Sequence, residues 1–267
     1  MKKDSIQKQW DKAAEAWADF VRTGRDYSRF EMNNPAMFKL LGDIRGKKIL
    51  DLACGEGYNS RIMASKGAKV TGVDFSRGLI GFAIEQEKKD KLGIDYFISD
   101  ASDLSGFKND SFDIVTCFMA LQDIKDYKAA IKEICRVMKK KGRFVFVIPH
   151  PCFEGRIING KRINGWVFKK GTKTKSNQNA LYYKIDKYFV RNRYMIDWNM
   201  KRLTINFKTT SFHRTLTDYA DALYGAGLAI TRILEPKPTR RGLVKYPFHF
   251  ERNLRVPDSI VIEAVKC

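Results

Sequence analysis

The sequence has no run of eighteen apolar residues, so no membrane-spanning helix is expected. Its first twenty residues, MKKDSIQKQWDKAAEAWADF, begin basic but hold neither an apolar core nor a small-residue cleavage site. No signal peptide is therefore expected, and a cytoplasmic location follows as the expectation. Cysteine is scarce. The five thiols (Cys54, Cys117, Cys135, Cys152 and Cys267) are odd in number and none are in C-x-x-C spacing, which excludes a disulfide framework or a zinc ribbon. Free, mostly buried thiols in a reducing compartment fit that pattern. With only three histidines, a catalytic metal held by side chains is not expected. Acidic residues are in short supply: 30 Asp and Glu face 50 Lys and Arg, a net charge of +20. Such an excess suits nucleic acid, an anionic membrane surface or an acidic substrate. It suits equally well the solvated lysine faces of amphipathic helices.

From Lys47 onward, strand and helix signals alternate. KKILDLA is an apolar run suited to a strand buried on both faces. YNSRIMASKG reads as a short helix closed by Gly67, and AKVTGVDF as a second strand. Ser76 then caps a helix carrying Leu79, Ile80, Phe82, Ala83 and Ile84. IDYFISD and FDIVTCFMA supply the third and fourth strands. The spacing of Tyr127, Ile131, Ile134 and Met138 predicts an amphipathic helix over 125–139, with Gly142 as its stop and RFVFVIP as a fifth strand. LAITRILE and DSIVIEAVK, after a helix over 215–226 ended by Gly227, supply two more. The expected fold is α/β: a Rossmann-like, seven-stranded, mostly parallel sheet with helices on both faces. Ligands of such sheets bind at the carboxyl ends of the strands, near the switch in strand order.

The regularity breaks after Pro149. Residues 154–202 hold thirteen Lys or Arg against three Asp or Glu, interleaved with eight aromatics. GTKTKSNQN at 171–179 reads as an exposed loop, and LTINF at 203–207 as a half-buried strand. The expected division is a helical cap over 1–46, a core over 47–150 and 213–267, and a partly antiparallel insertion over 151–212 lying across the site.

The stretch ILDLACGEG, Ile49 to Gly57, carries the chemistry. Gly55 and Gly57 fit the first two places of a G-x-G-x-x-G dinucleotide fingerprint, but the third place is Ser60. Asp51 stands four residues before Gly55. A carboxylate there repels a pyrophosphate and attracts an ammonium group, so Coulomb's law disfavours a dinucleotide. S-adenosylmethionine has an ammonium group and no phosphate. Asp74 closes the second strand, where an acid grips ribose hydroxyls. Asp100 closes the third strand, where it can accept from an adenine amine.

With ILDLACGEG, the stretches VTGVDFS, ISDASDL, FDIVTCFMALQDI and KGRFVFVIPHP resemble the successive motifs of class I S-adenosylmethionine-dependent methyltransferases. They look closest to the small-molecule branch that includes quinone-biosynthesis-type C-methyltransferases. FHRTLTDYADALYGAGLAITRILEP resembles that branch's penultimate helix and strand, so the resemblance covers most of the chain except the basic insertion. Ala53 departs from the common glycine. The resemblance implies S-adenosyl-L-methionine as cofactor. By it, Asp51 and the backbone of Ala53 and Gly55, in the turn that Gly57 closes, hold the methionine part, with the Phe118 carbonyl facing the amine. Asp74 binds the ribose, Phe75 lies against the adenine with Ser76 beside it, and Asp100 with the Ala101 amide reads the adenine edge. An N-terminal helix folding over the cofactor brings Tyr27 or Arg29 to its carboxylate, Arg29 being the better match for a bidentate pair.

If the acceptor loses a proton, His150 and His213 are the candidate bases. Asp123 and Gln122, after the fourth strand, are placed to orient the acceptor. Cys152 lies nearby without a partner to activate it. The expected activity is methyl transfer to a small-molecule acceptor. The alternative is an RNA methyltransferase whose basic, aromatic insertion tracks phosphates and stacks bases. Against RNA, FMALQD stands where base-amine methyltransferases carry an NPPY-type tetrapeptide. The methylated atom and the oligomeric state stay open.

Overall fold

The computed structural model describes residues 4–172, 179–198 and 206–267. Five strands alternate with helices: β1 (Lys48–Leu52), α3 (Tyr58–Ser65), β2 (Lys69–Asp74), α4 (Arg77–Asp90), β3 (Asp95–Ile98), β4 (Phe112–Phe118), α5 (Tyr127–Val137) and β5 (Met138–Pro149). Before them come α1 (Asp4–Arg22), a π-helical turn (Arg29–Asn33) and α2 (Asn34–Leu41). After the insertion come α6 (Leu216–Tyr224), β12 (Leu228–Leu234), α7 (Arg240–Lys245), α8 (Pro247–Phe250) and β13 (Ser259–Lys266).

The sheet has seven strands in the order β12-β13-β5-β4-β1-β2-β3. β1, β2, β3, β4 and β5 pair in parallel, while β13 runs antiparallel to both neighbours. The chain leaves β1 in one direction and returns to β4 on its other side. A crevice therefore opens at the carboxyl ends of β1 and β4. Central strands read as unbroken apolar runs because both faces are covered. Leu50, Leu52, Val115, Phe144 and Phe146 pack under α5 and α6, and Ile49, Val70, Ile114 and Val145 under α2 and α3.

One boundary differs from expectation. α5 ends at Val137 because Met138 turns extended (φ −75°, ψ 140°) and starts β5. Gly142 lies inside that strand and does not stop the helix. A Cβ there would come within 2.7 Å of the Lys139 carbonyl, so close backbone approach explains the glycine.

Side-chain bonds seat α1 on the loops after β1 and β2. Gln7 Nε2 donates to the Phe75 carbonyl at 2.6 Å, and Asp11 Oδ1 accepts from Ser76 Oγ at 2.7 Å and Gly78 N–H at 3.2 Å. At the other end Arg22 Nε donates to Glu56 at 2.8 Å. Gly78 lets the helices touch, since a Cβ there would come within 2.8 Å of the Ala14 methyl.

Residues 151–212 carry three antiparallel pairs: β6 (Ile157–Ile158) with β7 (Lys161–Arg162), β8 (Gly165–Phe168) with β9 (Ala180–Lys184), and β10 (Arg193–Asp197) with β11 (Lys208–Phe212). The loop expected at 171–179 and the strand expected at 203–207 fall mostly outside the described residues. Buried polar bonds hold this region together. Arg156 is fully buried and donates to the carbonyls of Lys187 (2.7 Å) and Val190 and to Asn192 Oδ1 (2.9 Å). Glu154 accepts from Tyr194 Oη at 3.1 Å and pairs with His213 Nδ1. Trp198 and Phe207 stack 5.7 Å apart and meet Trp10 and Trp17 of α1. Among the described residues, no helix is long and apolar enough to cross a membrane.

Removing one partner of a buried hydrogen-bonded pair leaves the other unsatisfied, at a cost of about 1–3 kcal/mol. Glu154→Ala is accordingly expected to lower the unfolding free energy by that amount in urea denaturation.

Candidate active site

A cavity of about 300 Å³ opens at the carboxyl ends of β1, β2, β3 and β4. Asp51, near the end of β1, is buried and accepts from Ser60 Oγ at 2.5 Å and Thr116 Oγ1 at 2.9 Å. Burial pushes its carboxyl up to about 6, against the pull of those two hydroxyls and of Arg29. Asp74, the last residue of β2, takes one backbone N–H on each oxygen, from Ser76 and Gly55, both at 2.9 Å. Burial raises it likewise to about 6. Asp100 lines the same cavity, where its Oδ1 accepts from Ser102 N–H at 2.8 Å and Ser102 Oγ at 2.5 Å, forming a tight turn.

Ala53 and Gly55 bend the loop between these acids. Both have positive φ, 53° and 61°. Ala53 thus stands in the left-handed region that a glycine fills freely, and it holds that conformation at a cost of about 1 kcal/mol. Phe75, Ala101 and Phe118 complete this side of the wall. Arg29, the first residue of the π-helical turn, lines the cavity with its Nε on Asp26 at 3.0 Å and its guanidinium carbon 5.8 Å from the Trp17 ring centroid. Asp123, Ile124, Lys125 and Asp126, from the loop after β4, line the cavity as well.

Six of the residues expected at the site lie away from the cavity wall, among them Gln122, whose Nε2 donates to the Met119 carbonyl at 2.7 Å. Tyr27 stacks on Tyr246 at 3.7 Å between ring centroids, on the C-terminal side of the fold. Gly57 turns inward: its φ is +81°, its N–H donates to the Cys54 carbonyl at 3.1 Å, and the Tyr96 hydroxyl fills the place of a Cβ. Ser76 is buried as the cap of α4, accepting from Leu79 N–H at 3.2 Å. His150 is held in its neutral form, Nδ1 accepting from Cys152 N–H and Nε2 donating to Glu235, each at 3.2 Å. Burial also keeps its pKa below the usual range. His213 has both nitrogens engaged, Nε2 donating to the Tyr188 carbonyl at 2.7 Å and Nδ1 facing Glu154. Neither histidine has a nitrogen left to serve as a base. Burial pushes the Cys152 thiol up, so it stays protonated.

Sequence reasoning missed Ile6, Trp10 and Trp17 of α1, which roof the cavity. The signal was present: Trp10 and Trp17 are seven residues apart, so they share one face of a helix. Asn59, Leu79, Ser99 and Ser102 also line the cavity, and nothing local in the sequence marks them.

Residues 50–146 match the profile of the methyltransferase domain family, and similarity to S-adenosylmethionine-dependent methyltransferases gives S-adenosyl-L-methionine as the cofactor. A solved S-adenosylmethionine-dependent methyltransferase from Mesorhizobium loti superposes with a TM-score of 0.67 at 25% identity, over 87% of this chain and 96% of that one. A putative one from Listeria monocytogenes gives 0.68 at 26% identity, over 88% and 96%. The ubiquinone biosynthesis O-methyltransferase of Idiomarina loihiensis is 34% identical over 130 residues, 48% of this chain and 53% of that protein. The chain thus spans about half the length of the curated relatives it matches. Those relatives are named as ubiquinone biosynthesis O-methyltransferases, in keeping with the small-molecule, quinone-biosynthesis-like branch that the motifs resemble.

At Gly57, a methyl group forces both a left-handed alanine and a collision with Tyr96. Gly57→Ala is expected to destabilise the fold by about 1–3 kcal/mol, read from a fall in the urea midpoint at constant slope.

Proposed function

We propose that the protein is a cytoplasmic enzyme that transfers the methyl group of S-adenosyl-L-methionine to a small-molecule acceptor. The observation that carries this reading is the cavity itself, in which Asp51, Asp74 and Asp100 converge from successive strand ends with Arg29 as counter-charge. That charge pattern suits a phosphate-free nucleoside carrying an ammonium and a carboxylate group.

In this reading Asp51 holds the ammonium, with the backbone of Ala53 and Gly55 and the Phe118 carbonyl around it. Arg29 pairs with the carboxylate; its side chain bonds Asp26 through Nε, and among the described residues its terminal nitrogens make no hydrogen bond. Asp74 shapes the ribose site while fixing the loop, because each oxygen keeps a lone pair beyond its backbone bond. Phe75 packs against the adenine, and Asp100 with the Ala101 N–H meets its edge. The bound cofactor supplies a methyl group on a positively charged sulfur. The chain's own part is to align that group with the acceptor and to exclude water, for which Ile6, Trp10 and Trp17 form the roof. The insertion was expected to lie across the site, but among the described residues none of 151–212 lines the cavity, and its cations are in part consumed at home. Arg156 is buried, Arg191 pairs with Asp218 at 2.5 Å, and Lys208 pairs with Asp197 at 3.2 Å.

The deciding experiment supplies tritiated S-adenosylmethionine separately to a metabolite extract and to total cellular RNA. Label in the low-molecular-weight fraction is expected; label confined to RNA overturns the small-molecule reading.

The raised carboxyls give binding a pH dependence. A carboxyl whose folded pKa is raised contributes stability fully below its unfolded value near 3.9 and loses it as pH rises through about 6. The ammonium group binds the ionised form, so ligand binding offsets that loss. Affinity for S-adenosylmethionine is therefore expected to fall by up to about tenfold per pH unit below 6. Asp51→Asn should weaken binding at pH 7.5 by about 1–3 kcal/mol and flatten this dependence, while stabilising the ligand-free protein. Titration calorimetry at several pH values checks the binding, and urea denaturation of the ligand-free proteins checks the stability.

A further inference from the structure

We propose that the face built by α7, α8 and the short turn after them (Glu251–Leu254) docks on the surface of an anionic lipid bilayer. It is a second working surface of the chain, apart from the cavity.

Three large apolar side chains stand in water between positions 244 and 254. Val244 is 78% exposed, Phe248 86% and Leu254 63%. Single apolar residues on a surface are ordinary, but a run of them rimmed by polar groups marks an interaction site. Leu181 and Tyr182 of β9, exposed as well, adjoin the run. Arg255 joins the two segments, Nη1 donating to the Ala180 carbonyl at 2.8 Å and Nη2 to the Leu181 carbonyl at 3.3 Å.

Cations crowd the same stretch. Residues 237–256 hold six Lys or Arg and one acid, Glu251, which is buried. Arg241 pairs with Glu31 at 2.6 Å, and Arg252 pairs with Asp258. Lys237, Arg240 and Lys245 are exposed and, among the described residues, form no ion pair. The cavity, lined by five aspartates against Arg29 and Lys125, gives this positive charge no use.

The exposure is held in place from beneath. Phe250, two residues after Phe248, is fully buried against Gly242 of α7, where a Cβ would come within 3.1 Å of its ring. Tyr246 stacks on Tyr27, and His249 Nε2 lies 3.0 Å from Ser28 Oγ. Thr239, the cap of α7, donates from its hydroxyl to Glu31 Oε2 at 2.5 Å and from its N–H to the Glu31 carbonyl at 2.7 Å. The segment is thus clamped to the π-helical turn, and Val244 and Phe248 are what it presents outward. That turn begins with Arg29 of the cavity wall, so the docking face and the cavity share one support.

The chemistry of the face selects its partner. A bilayer with anionic headgroups takes both features at once, apolar side chains at the acyl boundary and cations among the phosphates. RNA neutralises the cations but leaves Val244 and Leu254 in water. A second copy meeting this face across a two-fold axis sets cation against cation.

The test floats the full chain with vesicles of phosphatidylcholine alone and of phosphatidylcholine mixed with an equal part of phosphatidylglycerol. Wild type should bind the mixed vesicles and not the neutral ones, and added salt should release it. The paired substitutions Val244→Ser and Phe248→Ser should weaken binding about tenfold or more. Each cation near an anionic surface strengthens binding about fivefold, so Lys237→Gln, Arg240→Gln and Lys245→Gln together should cost about a hundredfold. Leu254→Ser, in the neighbouring turn, is an independent variant and should also weaken binding. The replaced side chains stand in water, so all three proteins should melt with wild type. Absence of wild type from the mixed vesicles, equal binding to neutral ones, or wild-type binding by all the variants overturns the proposal. Loss of binding in the charge variant alone, with the serine variants unaffected, reduces the face to a cation patch of the kind RNA also neutralises, and overturns it too. So does a wild-type dimer in sedimentation velocity that the Val244→Ser and Phe248→Ser pair dissociates, since a second copy then covers the face. None of these measurements needs cofactor or acceptor, so their outcome is separate from that of the methyl-transfer reading.

Discussion

The buried carboxylate of Asp74 is the interaction on which the site depends. One oxygen holds Gly55 N–H of the loop after β1, and the other holds Ser76 N–H at the start of α4. Bonds from an ionised acceptor are about twice as strong as neutral ones, so a single side chain locks two strand ends together. Without that lock, the left-handed turn at Ala53 and Gly55 keeps only its backbone bonds, from Cys54 N–H to the Val73 carbonyl and from Gly57 N–H to the Cys54 carbonyl. Ser76 passes the constraint on, since its hydroxyl donates to Asp11 of α1. One acid therefore joins the floor of the cavity to its roof.

The acids raise a problem of electrostatics that the fold answers only in part. Asp51 and Asp74 are buried within one cavity, and burial holds both carboxyls well above their ordinary values. Arg29 lowers the cost for Asp51 but does not remove it. The ligand-free protein is thus left with unspent attraction for a cation. The site is prepared electrostatically before anything enters it.

Much of this was legible in the sequence, because the β-α alternation and the acids at strand ends are local signals. The apolar runs at 48–52 and 112–118 became central strands, and Asp51, Asp74 and Asp100 fell on one cavity because parallel strands end on one side. What could not be read depends on partners far along the chain. His213 is silenced by Glu154, 59 residues before it, and His150 by Glu235, 85 residues after it. Tyr27 is drawn away by Tyr246, and Gly57 serves Tyr96. Asp123 shows the reverse case. Its position after β4 was visible, but the burial that raises its carboxyl emerges only once β11 and Arg214 close around the loop.

The aromatic seam between α1 and the insertion has an optical corollary. Of the chain's four tryptophans, Trp10, Trp17 and Trp198 meet in that seam, and Trp10 and Trp17 also border the cavity. The intrinsic ultraviolet emission of the protein therefore arises largely at its own binding cleft. The molecule carries a built-in fluorophore for whatever occupies it, and no dye need be attached.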